Sequence, residues 1–215
     1  DRLMNSNQLS LILIGMSNMG KTYWSLKLVD VGFQHLHCEG RIGQKLTKLF
    51  ESREVDGVSD AAQWMGHPYS EGYGDRAEAY LRAEAEALNE ILHERKSVLR
   101  NVVIDTTGSC VYIDSHSAIK QDGLIVYLQE SLQAREEMFR RYIAEPKPVI
   151  WGRSFQRDEG ESDQEALARC YPELLEFRAK RYSQLADVIV PYEVSRDNYL
   201  TVEGFLKAIR SRLEP

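Results

Sequence analysis

Short runs of apolar residues alternate with amphipathic stretches along most of this chain. LSLILIG at 9–15 is brief, mostly apolar and closed by glycine, the pattern of a strand buried on both faces. Residues 21–30 carry a helical pattern that stops at DVG, where Gly32 can take the left-handed conformation. FQHLHC (33–38) predicts a second, weaker strand. From Asp75 to about Glu94 the chain is rich in Ala, Glu and Leu, and a long helix is expected with Leu81, Ala85, Leu88 and Leu92 as its buried stripe. NVVID (101–105) and GLIVYL (123–128) predict two more buried strands. SLQAREEMFRRYI (131–143) predicts a helix capped by Ser131, and PELLEFRAKRYSQLA (172–186) a helix with Pro172 in its first turn. DVIVP (187–191) predicts a last strand and TVEGFLKAIRSRL (201–213) a closing helix. Such alternation implies parallel pairing through right-handed crossovers, with helices on both sheet faces. Residues 145–165 break the rhythm with prolines, glycines and dense charge, which predicts a surface loop or a lid.

Composition narrows the class. The 215 residues suit one domain with a full core, and 43% hydrophobic content with three Trp and eleven Tyr is that of a folded globular protein. A formal charge of -6 argues against a nucleic-acid partner, because phosphate backbones select basic surfaces. Cys38, Cys110 and Cys170 are far apart and form no CxxC pair, so buried, reduced thiols are expected rather than a zinc site or disulfides. No apolar run approaches the ~20 residues of a membrane span. The start, DRLMNSNQ, lacks the basic and apolar regions of a signal peptide, so a cytoplasmic location without a membrane partner is expected.

The candidate chemistry lies in GMSNMGKT (15–22), between the first strand and the first helix. Main-chain N–H groups of a glycine-rich turn and a helix N-terminus together make an anion site. In that arrangement Lys21 reaches the outer phosphates of a nucleotide and the Thr22 hydroxyl coordinates Mg²⁺. Gly15, Ser17, Asn18, Met19, Gly20, Lys21, Thr22 and Tyr23 are the expected nucleotide contacts. The plainer alternative is an ordinary strand-to-helix turn with Lys21 in solvent. A second magnesium oxygen is expected from Asp105, at the end of the buried strand VVID; a helix cap or turn is its bland role.

The order of these pieces resembles the shikimate kinase family of P-loop small-molecule and nucleoside monophosphate kinases. The resemblance implies a three-layer α/β/α P-loop kinase fold over 1–215, with a five-stranded parallel sheet, a central first strand and a lid at about 145–165. It further implies ATP and Mg²⁺ as cofactors and an acceptor-binding region at about 38–95. Arg140 precedes KPVI by seven residues and resembles the family's adenine-stacking arginine, which places Lys147 at the lid-arginine position. Arg178 in RAKRY resembles the acceptor-binding arginine, and Glu84 the acidic residue of an FRxxE-like element. Arg153 and Arg157 flank the lid's WG and are candidates to close on the transferring group.

Departures gather on the acceptor side. His35 and His37 stand where the family has an Asp-x-Asp pair, Leu81 where it has an acceptor arginine, and Thr107, Gly108 and Ser109 where it has three glycines. The two histidines fall on one strand face, which suits acceptor contact, structural hydrogen bonding or, with Glu39, a metal. Trp64, Tyr69 and Tyr73 either stack on an acceptor or pack in the core. The expected activity is ATP-dependent phosphoryl transfer to a small hydroxyl-bearing metabolite other than shikimate. A nucleoside monophosphate kinase and a catalytically inactive ATP-binding module are the alternatives.

Overall fold

The computed structural model describes residues 8–49, 58–113, 116–144 and 148–213. Strand β1 (Ser10–Ile14) is buried at every position, as a central parallel strand covered on both faces must be. It is followed by α1 (Lys21–Val29), β2 (Gln34–His37), α2 (Cys38–Leu49), α3 (Val58–Met65) and α4 (Tyr73–Arg95). Next come β3 (Val102–Asp105), a 3₁₀ turn at Cys110–Tyr112, α5 (His116–Asp122), β4 (Leu124–Leu128) and α6 (Leu132–Ala144). The chain ends with α7 (Asp163–Leu185), β5 (Val188–Val190), α8 (Tyr192–Ser195) and α9 (Val202–Arg210). The five strands are all parallel in the order β2-β3-β1-β4-β5, so β1 is central as expected. None of the described helices is long and apolar enough to cross a membrane.

The order of connections fixes where a ligand can lie. From β1 the chain skips one place to β2, returns to insert β3, then crosses to β4 on the other side of β1. The connection from the end of β1 runs one way, to β2, and that from the end of its neighbour β3 runs the other, to β4, which opens a crevice at the carboxyl ends of β1 and β3. In register, Leu13 and His37 both stand beside Asp105. On the opposite side of the nucleotide turn, Trp24 of α1 stacks on Phe205 of α9 at 4.1 Å between ring centres and donates its indole N–H to the Ser195 carbonyl at 3.0 Å. That contact fastens the first helix behind the turn.

Several elements differ from the sequence reading. The short helix α2 is new; its buried Cys38, Ile42 and Leu46 recur every fourth residue, but Gly40 and Gly43 dilute the pattern. The buried face of α4 is rotated from the predicted stripe: Tyr73, Ala77, Tyr80, Glu84, Ala87 and Ile91 are inside, while Leu81 and Ala85 are only half-buried. Helix α7 starts nine residues before Pro172, at a capping box in which Ser162 and Glu165 satisfy each other's N–H groups. Pro172 thus lies in its interior. Cys38, Cys110 and Cys170 are free and buried.

The expected lid is only partly a surface feature. Residues 145–147 lie outside the described residues, and 148–162 form no helix or strand. Yet Ile150 and Trp151 are in the core. The Tyr73 hydroxyl donates to the Val149 carbonyl at 2.8 Å and accepts from the Trp151 N–H at 2.9 Å. Trp151 packs edge-on against Tyr142, Phe155 and Tyr171. Tyr73 therefore serves the core and this segment, not an acceptor, and the segment is held against the N-terminus of α4.

Candidate active site

The turn after β1 bends where only glycine fits. Gly15 has φ 142°, and a Cβ there would stand 2.7 Å from the Leu128 carbonyl oxygen. Asn18 (φ 63°) and Gly20 (φ 93°) are also left-handed, and Arg196 donates to the Asn18 carbonyl. Left-handed residues in such a turn are the backbone form that can present main-chain N–H groups to an anion ahead of a helix N-terminus. Lys21 is buried, and its ammonium donates to the Gly15 and Met16 carbonyls at 3.0 and 2.9 Å. The side chain is thereby folded over the turn it follows.

Thr22, one residue on, donates its hydroxyl to Asp105 Oδ2 at 2.6 Å. Asp105 is 2% exposed. Burial alone would raise its pKa, but His35, the Thr22 hydroxyl and the Lys21 ammonium outweigh it, so the carboxyl is held below its usual range. His35 and His37 do share a face: their Nε2 atoms lie 3.7 and 3.8 Å from Asp105 Oδ2. His37 is also 3.6 Å from Glu39, whose carboxylate raises the imidazole pKa against the lowering effect of burial. Among the described residues no three His, Cys, Asp and Glu side chains are disposed to hold a metal ion by themselves. Magnesium makes a lesser demand, one or two protein oxygens beside phosphate and water, and Thr22 and Asp105 fit it.

A cavity of about 540 Å³ opens above this floor. Lys21, Thr22, His37 and Asp105 line it on one side, with Ser17, Asn18, Gly20 and Tyr23 at its rim. Its wall is completed by Tyr80, Thr107, Gly108, Ser109 and Arg178, with Gly108 close to Ser17. Glu84 lies directly behind that wall and accepts a hydrogen bond from the Thr107 hydroxyl. Burial raises the Glu84 pKa to about 7, against the opposing effects of Ser109, Arg178 and Lys21. Arg178 is no surface residue: it is 6% exposed, donates to the Ile150 carbonyl at 2.7 Å and lies over the Tyr112 ring.

Most of the residues singled out from sequence therefore meet around one space. Arg140 stands apart on α6, 70% exposed and paired with Glu137, and together with Met19 it lines a smaller cavity of about 330 Å³ next to the turn. Arg153 is exposed and lines none of the three cavities, and Arg157 pairs with Asp163. Lys147 lies outside the described residues. Sequence reasoning missed Arg141, Tyr192 and Arg196, which line both larger cavities. Arg141 was adjacent to a residue already chosen. Nothing in the sequence tied the four-residue α8, which brings in Tyr192 and Arg196, to the nucleotide turn.

Compared by sequence, the chain matches no protein-family model and no curated protein. Compared by structure, it is similar to several solved shikimate kinases. The enzyme of Acinetobacter baumannii, in complex with shikimate, superposes with TM-score 0.62 at 16% identity, over 98% of this chain and 97% of its own. That of Bacteroides thetaiotaomicron gives 0.59 at 19%, over 96% and 99%. That of Aquifex aeolicus gives 0.55 at 17%, over 94% and 97%. With its parallel sheet order and its lysine-bearing turn after the central strand, the chain has the P-loop kinase fold in the form found in shikimate kinases.

Proposed function

We propose that this chain is a kinase that transfers the γ-phosphate of ATP to the hydroxyl of a small metabolite. The observation that carries the reading is the meeting of two sets of side chains around one cavity: Lys21 and the Thr22–Asp105 pair, and a hydroxyl-rich recess with a buried arginine. Bound MgATP supplies the transferable phosphoryl group and part of the charge neutralisation. The main-chain amides of 15–22 and the Lys21 ammonium hold the β- and γ-phosphates, and Thr22 and Asp105 hold the metal. Arg140 flanks the base from the smaller cavity, while Arg141 and Arg196 reach the phosphates from the rim. Lys147 and Arg153 belong to the closing segment.

Transfer breaks the bond from the γ-phosphorus to its bridging oxygen and forms one to the acceptor oxygen, with ADP leaving and the hydroxyl proton lost. The chain contributes mostly position and positive charge, so a rearranged acceptor wall is compatible with activity. His35 and His37, beside Asp105, border the path of the acceptor hydroxyl. Thr107 and Ser109, where shikimate kinases have glycines, narrow the recess and favour an acceptor other than shikimate. The test is a coupled ADP-release screen across hydroxyl metabolites, shikimate included, with Lys21→Ala alongside. At least one acceptor should release ADP at a rate that falls about 100-fold or more in Lys21→Ala. Release indifferent to Lys21, or none with any acceptor, overturns the reading.

A further inference from the structure

Residues 107–109, just after β3, separate two buried groups, a carboxyl and a guanidinium, that do not pair with each other. On one side is Glu84, 2% exposed. Its Oε1 accepts from the Thr107 hydroxyl, and its Oε2 is buried without a hydrogen-bond partner. Thr107 has one hydroxyl proton and Glu84 takes it. In the 3.1 Å contact between Thr107 Oγ1 and Ser109 Oγ, the serine is then the donor. Thr107 Oγ1 also accepts from the Ser109 N–H at 3.3 Å, so its lone pairs are taken and those of Ser109 Oγ are the ones left at a cavity wall backed by a carboxyl. A wall of that kind favours N–H donors, and an ammonium above a neutral group.

On the other side is Arg178. Its Nη2 and Nε donate to neutral oxygens, those of Ile150 and Tyr112, and no carboxylate among the described residues forms an ion pair with it. A buried guanidinium so placed carries charge that a ligand anion can balance. Its Nη1 faces Gly108: a Cβ on that glycine would stand 3.5 Å from Nη1 and 3.4 Å from Ser17 Oγ of the nucleotide turn. The donor-reading and anion-reading walls are thus one residue apart, and both adjoin the phosphate end.

We propose that the phosphoryl acceptor is a small hydroxylated zwitterion of the amino-acid kind, its ammonium against Ser109 in front of Glu84 and its carboxylate on Arg178. The inference rests on the kinase reading above. The cavity of about 540 Å³ must also admit the phosphates, which keeps the acceptor small.

The test compares four size-matched sets of probes in the ADP-release assay: hydroxy amino acids such as serine and homoserine, the corresponding hydroxy acids without the amine, amino alcohols without the carboxylate, and uncharged polyols. Binding of each probe is measured in parallel by thermal shift with Mg²⁺ and a non-hydrolysable ATP analogue. A zwitterion should exceed both its single-charge relatives by about tenfold or more in kcat/KM, and Glu84→Gln should shrink its advantage over the hydroxy acid to within about threefold. A hydroxy acid or polyol that matches or surpasses every zwitterion overturns the proposal and leaves the kinase reading standing. An amine preference unchanged in Glu84→Gln overturns it too, and the wild-type panel is decisive if that variant does not fold. If the ATP analogue itself fails to bind, the kinase reading falls first.

Discussion

Asp105 and Glu84 are carboxyl groups beside the same cavity, each 2% exposed, and burial leads to opposite states in the two. Asp105 has Thr22, His35 and Lys21 around it and stays charged. Glu84 has mostly neutral neighbours: the Tyr80 phenol, the thiols of Cys38 and Cys110, and the hydroxyls of Thr107 and Ser109, with Lys21 and Arg178 as the opposing charges. Burial also keeps both thiols protonated. A carboxyl whose folded pKa lies near 7, against 4.5 for the free group, retains a proton that the unfolded chain has released. Its contribution to stability is complete below pH 4.5 and is lost as the pH rises to about 7. Relative to Glu84→Gln, the wild type should lose about 3 kcal/mol of unfolding free energy across that window, as read by denaturant melts at pH 4.5 and 7.5. Parallel stability curves for the two proteins would show that Glu84 is not buried with a raised pKa. Gly15 makes a second residue-scale prediction: Gly15→Ala forces a side chain against the Leu128 carbonyl at a positive φ. That should cost about 1–3 kcal/mol and abolish nucleotide binding; a stable variant that binds ATP normally would contradict the described turn.

At the scale of elements, the strands were legible and the helices only partly so. Each strand is a short apolar run, and its burial follows from parallel packing whatever lies beside it. The long helix α4 was legible too, but its rotation was not. Leu88 and Leu92 are inside as their spacing predicts, but the buried face also takes in Tyr80 and Glu84 and leaves Leu81 and Ala85 half-buried. The start of α7 was overlooked because Pro172 resembles a first-turn residue, although SDQE at 162–165 carries the capping-box spacing. Pro172 removes the N–H that would bond the Ala168 carbonyl, and Ala168 is exposed, so water can take its place. Ser162→Ala should lower stability by about 1 kcal/mol. The segment 148–156 makes a larger prediction. Trp151 is 1% exposed and sits in a cluster of four aromatic rings, so Trp151→Ala should cost about 3–5 kcal/mol, measured by urea unfolding. A loss below about 1 kcal/mol would mean that the segment is not anchored there.

For the whole molecule, the ligand site follows from topology. The crevice at the carboxyl ends of β1 and β3 exists because the chain leaves these two neighbouring strands in opposite directions, and the glycine-rich turn lies at its mouth. The turn at 15–22 stood out because phosphate binding by a glycine-rich turn requires fixed residue types at fixed spacing. Glu84, Arg178 and Thr107 were singled out only through the family resemblance, because they come from three elements whose meeting depends on the fold. Only the packing of Tyr112 and Ile150 around Arg178 shows that it is buried. The central claim is that the main-chain turn at 15–22 and Lys21 hold the phosphates of MgATP beside that crevice. Calorimetric titration of a non-hydrolysable ATP analogue with Mg²⁺ into wild type and Lys21→Ala tests it most directly. The account predicts saturable binding at one site in the wild type, weakened about 100-fold or more in Lys21→Ala. No heat in the wild type, or the same affinity in both proteins, would contradict it.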